Sequence, residues 1–415
     1  MRTLGFSPSV STKQFYLLFA LVLGIVAIAD SIMGYIAPIY MTQIAGSTTG
    51  MGWILAASSM VGLTMDFLFA KLFPQKRSKF FIKLLFICVF LFPLSFFLFH
   101  TIWAAVFAMA VWGIYFEAMV FANFKAIHES VDASDHGWAW AIAGLLRNIA
   151  WSVGPFIASS LYSQNAKLPL VAAIVANAVG LCVAILYLLL KKTSRVPREP
   201  VEKELHTFRQ QLAVWKVYAR TLWPLLLFNI FFYIIESAFF SVGPLLGEQL
   251  KTTGQAGSLF VSMYSIPGIL VSFFIVGLSK PWGKKRLSYI GGILAGLGLF
   301  ALGFCELGVE VLIFGFIAAI GLGLQHPSLL AVFEDYVVRS KQFGTDIVGL
   351  TAMSGSFAYI VGPILNGMMA DRWGTQAVFG IWGTIMMLFS CCLFMMVKRK
   401  VKLPQSQVLA LTTHS

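Results

Sequence analysis

The chain alternates between long runs of apolar residues and short polar intervals. A run of about 20 residues is long enough for an α-helix to cross the ~30 Å hydrocarbon core of a bilayer. The pattern therefore predicts an all-α membrane protein with twelve transmembrane helices. These are expected near residues 15–42, 50–73, 82–99, 103–124, 138–161, 168–190, 222–246, 256–279, 287–305, 311–333, 346–369 and 375–397.

The longest polar interval divides the predicted helices into two sets of six. The expected organisation is a bundle over 1–190, a cytoplasmic linker over 191–221, a second bundle over 222–397 and a tail over 398–415. Apolar residues recur at helical spacing within this linker, which is typical of an amphipathic helix at a membrane interface. They are Leu205, Phe208, Leu212, Trp215 and Tyr218. A plain solvated linker is the alternative interpretation.

Composition and charge fit a membrane protein. Of the 415 residues, 59% are hydrophobic and 11% are charged, against about 25% charged in an ordinary soluble domain. The net charge of +13 would suggest nucleic acid as a partner of a soluble fold. Here, Lys and Arg concentrate in the intervals that are cytoplasmic if both termini are inside, which is the positive-inside pattern. We therefore expect a multi-pass protein of a cell inner membrane and no nucleic-acid partner.

The two halves of the chain share residues at matching positions. Asp30-Ser31 is followed by Pro38 and Gly62, and a similar series occurs 206 positions later at Glu236-Ser237, Pro244 and Gly268. Gly154-Pro155 recurs 208 positions later as Gly362-Pro363. Transporter folds are often built from repeated halves. The matches predict two pseudo-symmetric bundles of six helices.

With these features, the chain resembles the major facilitator superfamily over essentially its whole length. The segment GLSKPWGKKR, which begins at Gly277, is similar to the family's loop motif, although Pro281 stands where an aspartate is usual. The Gly-Pro pairs are similar to a motif associated with antiporters. The resemblance implies alternating access, with a set of gating residues at the motif positions. These are Gly154, Pro155, Gly362, Pro363, Gly277, Gly283, Lys284, Lys285 and Arg286.

Acidic residues inside the predicted spans are the candidates for proton coupling. A charge at the bilayer centre costs at least ~3 kcal/mol, so an acid such as Asp30 is expected to face a cavity. In the family that the chain resembles, spans 1, 2, 4, 5, 7, 8, 10 and 11 line a central cavity, whereas spans 3, 6, 9 and 12 face lipid. A carboxyl group in a desolvated site takes up and releases protons near neutral pH. Asp30 is the first candidate, Glu236 the second, and Asp66 and Glu117 are expected to act as relay or coupling groups.

Arg147 and several uncharged polar residues are the candidates for substrate binding. Arg147 stays protonated, so it is expected to hold a carboxylate ionised or to bind an anionic substrate group. A static ion pair with Glu117 or Asp30 is the alternative. The uncharged candidates are Asn123, Asn229, Gln325, His326 and Asn366.

The function expected from these residues is secondary transport. The leading hypothesis is a monomeric antiporter that exports an organic or amphipathic small molecule in exchange for protons. A proton symporter importing a metabolite and a lipid or lipid-linked flippase are alternatives. A membrane receptor or an intramembrane enzyme is the non-transport alternative. The enzyme is disfavoured, because the sequence contains no metal-ligand cluster, no nucleophile paired with a base and no nucleotide-binding loop. No cofactor or metal is expected.

Overall fold

The computed structural model describes residues 12–73, 75–132, 135–190, 208–254, 257–340, 343–396 and 404–405. Within these ranges the chain forms thirteen α-helices and no β-strand. The first half contains α1 (Thr12–Ala45), α2 (Thr48–Leu72), α3 (Ser78–Leu98), α4 (Ile102–Ser130), α5 (His136–Gln164) and α6 (Leu168–Leu190). The second half contains α7 (Phe208–Ser241), α8 (Gly243–Thr252), α9 (Ser258–Trp282), α10 (Lys284–Phe304), α11 (Val309–Ser340), α12 (Gly344–Trp373) and α13 (Thr375–Met396).

The all-α membrane fold is confirmed. Eleven of the described helices are long and apolar enough to cross a membrane. The remaining predicted span, the eighth, near 256–279, falls on α9, whose described apolar part is Ser258–Val271. Helices suit this environment because they satisfy every backbone hydrogen bond internally, which lipid cannot do.

The seventh predicted span differs from the prediction at both ends. It ends early at Ser241, and a separate helix, α8, begins at Gly243 with a proline in its first turn. Pro244 has no N–H to continue the hydrogen-bond ladder of α7, whereas at the start of a helix that N–H is not needed. Two consecutive helices therefore occupy the place of one predicted span.

The beginning of α7 takes up part of the predicted linker. Helix α7 begins at Phe208, while residues 191–207 lie outside the described residues. Val214 and Tyr218 are fully buried, and the indole N–H of Trp215 donates to Asp346 Oδ1 at 3.0 Å. The described part of the predicted interfacial helix thus packs against protein as the first turns of α7. Of the predicted tail, only residues 404–405 are described.

The helices pair in the same way within the two halves. Helix α3 packs against α4 and α6, and α10 packs correspondingly against α11 and α13. The helix ends match as well. Glu129, at the end of α4, accepts hydrogen bonds from the N–H and hydroxyl of Ser78, at the start of α3. Two hundred and six positions later, Asp335 on α11 forms an ion pair of 2.7 Å with Lys284 at the start of α10.

The Gly-Pro pairs form equivalent close contacts in the two halves. In the first, Gly154 on α5 faces Ser31 on α1, and a β-carbon built at Gly154 would lie 1.7 Å from Ser31 Oγ. In the second, a β-carbon at Gly362 on α12 would lie 2.3 Å from Ser237 Oγ on α7. Both distances are far below van der Waals contact, so only glycine permits these helix approaches. The Gly-Pro positions are packing seams, whatever motion they also allow.

The chain separates into two compact units whose boundary does not follow the midpoint of the sequence. One unit comprises Met1–Met33 and Met60–Arg198, and the other comprises Gly34–Ser59 and Glu199–Ser415. The end of α1 and the beginning of α2 therefore belong to the second unit. This differs from the predicted bundle over 1–190.

A seam between α2 and α12 accounts for this assignment. Asp371 accepts four hydrogen bonds, from the N–H and hydroxyl groups of Thr48 and Thr49, with lengths of 2.6 to 2.9 Å. A β-carbon at Gly52 would lie 2.3 Å from Pro363 O, and one at Gly367 would lie 2.2 Å from Thr48 O. Small residues thus allow the two helix backbones to touch. Tyr35 on α1 adds a hydrogen bond of 2.8 Å to Glu248 on α8.

Candidate coupling sites in the two units

Asp30 lies in the interior of the first unit. The residue is 6% exposed, and its Oδ1 accepts a hydrogen bond of 2.7 Å from the indole N–H of Trp112 on α4. Tyr115, one turn further along α4, is also buried and its hydroxyl lies beside the carboxylate. Asp30 borders a small cavity whose other lining residues are Ala29, Met33, Val89, Phe92, Tyr115 and Asn177. Helices α3 and α6, expected to face only lipid, thus supply part of the surroundings of this acid.

Arg147 is half-buried on α5. Its guanidinium carbon lies 5.0 Å from the centroid of the Phe116 ring, a cation–π geometry. It interacts electrostatically with Asp30. Among the described residues, however, no carboxylate is within ion-pair distance of Arg147. The static ion pair considered from the sequence is therefore not formed in this part of the chain.

Asp66 and Glu117 lie close together on neighbouring helices of the first unit. Asp66 on α2 is exposed and Glu117 on α4 is half-buried, and the two carboxylates interact electrostatically. Gly62, one turn before Asp66, also faces Glu117, because a β-carbon there would lie 3.6 Å from Glu117 Oε1, at ordinary van der Waals contact. These two predicted coupling residues are thus brought together, at a different place on α4 from the Trp112 contact of Asp30.

Glu236 occupies a different kind of environment in the second unit. It is half-buried on α7, and its Oε1 accepts a hydrogen bond of 2.6 Å from the hydroxyl of Tyr264 on α9. Its Oε2 accepts a hydrogen bond from the hydroxyl of Tyr359 on α12. Both tyrosines are themselves half-buried. The carboxylate is therefore held by two phenols, in a residue that is only partly enclosed by protein.

His326 extends the cluster around Glu236. Its Nε2 lies 3.1 Å from the hydroxyl of Tyr233, and its ring stacks on Phe232 with centroids 4.0 Å apart. The rings of Tyr233 and Tyr359 lie 5.5 Å apart. Side chains from α7, α9, α11 and α12 thus form one continuous polar and aromatic cluster, which we call the Glu236 cluster. Its members are Tyr233, Glu236, Tyr264, His326 and Tyr359.

The other uncharged candidates for substrate binding lie in helix packing. Asn123 is 6% exposed and accepts from the Tyr16 hydroxyl at 2.9 Å. Asn229, fully buried, donates to Ser354 Oγ at 2.8 Å, and Asn366, also fully buried, donates to Ser237 Oγ at 2.9 Å. Gln325 is fully buried on α11, and its amide atoms have no partner among the described residues. In this conformation Asn123, Asn229 and Asn366 join helices through hydrogen bonds, whereas the Gln325 side chain is buried without such a bond among the described residues.

The loop motif after α9 is described in part. Gly277 lies in α9, and Gly283 connects α9 to α10 with a backbone φ of +79°, a conformation that favours glycine. Lys284 forms its ion pair with Asp335 inside the second unit. Lys285 is half-buried and Arg286 is exposed. The gating roles expected from the motif stay predictions.

Sequence reasoning missed the aromatic donors and Asn177. Trp112, Tyr115, Tyr264 and Tyr359 each carry a polar group that reaches an acid only through the tertiary fold. A signal existed for Asn177, because it is the only amide side chain in the apolar segment LPLVAAIVANAVGLCVAILYLLL. A buried amide is costly unless it is hydrogen-bonded, so its position called for a partner.

The repeated arrangement of apolar helices, with acids inside the spans, defines an integral multi-pass membrane protein of the transporter class. The model of the Major Facilitator Superfamily matches residues 19–251 and 225–411. The chain belongs to that family. This confirms the resemblance seen in the sequence and the prediction of a transporter rather than an enzyme.

Solved structures with the same fold cover nearly the whole chain at low sequence identity. The nucleoside transporter NupG has a TM-score of 0.70 at 13% identity, covering 93% of this chain and 100% of its own. A POT family transporter in complex with 5-aminolevulinic acid has a TM-score of 0.69 at 15% identity, covering 91% and 95%. A bacterial homolog of the human lysosomal transporter Spinster has a TM-score of 0.70 at 13% identity, covering 98% and 97%. These likenesses establish the fold alone.

A curated relative shares part of the sequence. The chain is 25% identical over 161 residues to monocarboxylate transporter 4 of Rattus norvegicus. The match covers 39% of this chain and about a third of the rat protein, 32% of its length.

Proposed function

We propose that the protein is a proton-coupled secondary transporter that exports an organic or amphipathic small molecule in exchange for protons by alternating access. One observation carries the proposal. An acid stands at matching positions of the two halves, inside a predicted membrane span, and aromatic N–H or O–H groups bind it in both. A buried acid in a membrane is costly, and proton transport gives it a use in both halves.

Asp30 and Glu236 are suited to different steps of the transport cycle. A proton carrier must exchange with water, and Glu236 is half-buried within a half-buried cluster. Asp30 is enclosed, so its exchange requires a rearrangement of its surroundings. We therefore assign the exchange of protons with the transport pathway to Glu236, and a slower or conformation-dependent exchange to Asp30. Asp66 and Glu117 remain candidates for relay groups.

The placement in the membrane follows from the distribution of basic residues. We propose an inner-membrane protein with both termini in the cytoplasm, acting as a monomer. Basic residues near the ends of α2 and α11, such as Lys71 and Arg339, then lie on the cytoplasmic side. The beginning of α2, with its contacts to α12, then lies on the opposite, outer side.

Proton symport of a small carboxylate is the second candidate. Arg147 favours it, because a half-buried guanidinium with no ion pair among the described residues is suited to bind a carboxylate group. The name of the rat relative, a monocarboxylate transporter, points to the same class of substrate. Under this hypothesis the substrate and the proton move in the same direction.

Transport by purified protein in lipid vesicles tests both candidates. The vesicles carry an internal pH indicator and an imposed pH gradient, and the panel contains lipophilic cations, monocarboxylates and sugars. An acidic interior drives substrate uptake under antiport, whereas an acidic exterior drives it under symport. Glu236→Gln should abolish the response, while Glu306→Gln, at an exposed loop residue, should leave it unchanged. Uptake that ignores the pH gradient for every substrate it accepts would overturn proton coupling.

A further inference from the structure

Asn177 holds an unused hydrogen-bond acceptor in the interior of the first unit. It lies on α6 and is 2% exposed, and its Nδ2 donates to Val89 O at 2.8 Å. A backbone carbonyl only accepts hydrogen bonds, so the amide group must face Val89 through its nitrogen. The orientation of the side chain is thereby fixed. Its Oδ1 has no partner among the described residues.

The same side chain borders the cavity beside Asp30. Most of the other lining residues, such as Met33 and Phe92, are apolar. The remaining polar group of the lining is the Tyr115 hydroxyl, which lies 3.5 Å from Met119 Sδ. The cavity has space for roughly one water molecule. It therefore brings a carboxylate and an amide oxygen, both acceptors, to one small space with a single hydroxyl donor.

A bound water molecule would supply the hydrogen-bond donors that this cavity lacks. A buried acceptor without a donor costs about 1–3 kcal/mol, and one water molecule donates two hydrogen bonds, enough to join the carboxylate to the amide oxygen. A proton on Asp30 adds one more donor. A bare metal cation fits less well, because most of the lining is apolar and offers no further oxygen ligand.

We propose that Asp30 and Asn177 bind a single water molecule between them, and that Asn177 is the positioning residue for the proton of Asp30. The carboxylic O–H of Asp30 donates to the water oxygen, and the water donates one of its hydrogens to Asn177 Oδ1. When the proton leaves Asp30, the water turns its second hydrogen toward the carboxylate. Asn177 thus keeps the water in place in both protonation states.

The groups that face Asp30 act in different senses. Trp112 and Arg147, on α4 and α5, favour the ionised carboxylate by donating a hydrogen bond and by charge. The Tyr115 hydroxyl, also on α4, is within hydrogen-bond reach of the carboxylate and acts in the same sense, and the lining residues of α3 and α6 carry no charge. Asn177, through the water, supports both states. The role of Asp30 as a proton carrier rests on the proposed function, whereas the water site does not.

Difference infrared spectroscopy of the full chain in lipid tests the site without requiring transport. Asp30→Asn identifies the carboxylic-acid C=O band of Asp30 by its loss. Asn177→Leu, which removes the acceptor at similar volume, should shift that band to higher frequency and remove an O–H band of weakly bonded water. Cys182→Leu, at an exposed position of the same helix, should change neither. Asn177→Ser keeps an acceptor oxygen and should retain the water band.

A second variant keeps the test decisive if Asn177→Leu does not fold. Ala29→Val fills the cavity and leaves Asn177 in place, so it should remove the same water band and shift the Asp30 band. An Asp30 band that is identical in the wild type, Asn177→Leu and Ala29→Val would overturn the proposal, as would the absence of an Asp30 acid band at every pH at which the protein is folded. If the bands behave as expected but vesicles show no proton coupling, the proposed function fails and the water site stands.

Discussion

Asp30 and Glu236 occupy equivalent positions of the two halves, yet the structure gives them different surroundings. Asp30 is 6% exposed and accepts a hydrogen bond from an indole N–H. It lies beside a cavity that has room for about one water molecule. Glu236 is half-buried and bound by two tyrosine hydroxyls that are also half-buried. The repeat conserves an acid beside aromatic donors but not its contact with solvent.

The difference shows that one position of a repeated fold serves two purposes. In the first half, the packing of α3, α4 and α6 around Asp30 makes its charge state part of the stability of the unit. In the second half, the half-buried cluster lets Glu236 change its charge with little rearrangement. Proton exchange and structural support are thus separated between the halves.

Glu236→Gln should have the largest effect on transport. It retains the shape of the side chain and removes the ionisable group, so pH-gradient-driven uptake in vesicles should fall by about 100-fold, the lower end of what a positioned proton-transfer group contributes. Exchange of substrate at equal pH should persist, because it requires no net proton movement. Equal losses of driven uptake and of exchange would instead assign Glu236 to substrate binding.

Removing the aromatic donors should separate the two acids in stability. Trp112→Phe leaves the buried Asp30 carboxylate without its indole donor, and hydrogen bonds to charged groups contribute about 1.5–3 kcal/mol. Thermal unfolding in detergent should therefore show a clear loss of stability. Tyr264→Phe, in the second half, should cause a smaller loss of stability, because Tyr359 and solvent still stabilise Glu236. A larger loss for Tyr264→Phe would reverse the assignment of roles.

The Gly-Pro seams should respond alike in the two halves. Gly154→Ala and Gly362→Ala force a methyl group against Ser31 and Ser237, and overpacking of this kind costs about 1–3 kcal/mol. Gly144→Ala is a matched control on α5, because a β-carbon there meets no atom within 4 Å. It should leave the unfolding temperature unchanged or raise it slightly. Tolerance of Gly154→Ala equal to that of Gly144→Ala would contradict the close approach.

Asp371→Asn should produce the smallest effect. The carboxylate caps the beginning of α2 with four hydrogen bonds but is exposed, so we expect a loss of about 1 kcal/mol, as for an N-cap substitution. This corresponds to roughly fivefold faster hydrogen exchange of the Thr48 and Thr49 amides. Glu310→Gln, at the exposed start of α11, should leave these amides unaffected. Protection that survives Asp371→Asn would mean that the glycine contacts alone hold the seam.

The fold was predictable because its main signals are local. Apolar run length gives the membrane helices, and the matched acids, prolines and glycines give the repeat. The acids Asp30 and Glu236 were also found in this way, since a charge within an apolar run is conspicuous.

The contacts of the acids were not predictable, because they depend on how each helix is rotated about its axis. Hydropathy gives the average environment of a helix and does not say which neighbour Trp112 or Tyr264 faces. For the same reason Asn177 on α6 was assigned to a helix expected only to face lipid. Gly34–Ser59 belongs to the second unit because of the backbone contacts at Gly52 and Gly367. The residues in each of these contacts are far apart in the sequence.

The matched helix-end contacts respond differently to ionic strength. Ser78 meets Glu129 through hydrogen bonds to its N–H and hydroxyl, whereas Lys284 meets Asp335 as an ion pair between exposed or half-exposed side chains. Dissolved ions screen charges beyond about 8 Å at physiological salt and beyond ~3 Å at 1 M. Exposed ion pairs are weakened by salt, so concentrated salt should weaken the contact between α10 and α11 more than the contact between α3 and α4. The two matched helix ends of the repeat would then differ in their sensitivity to salt.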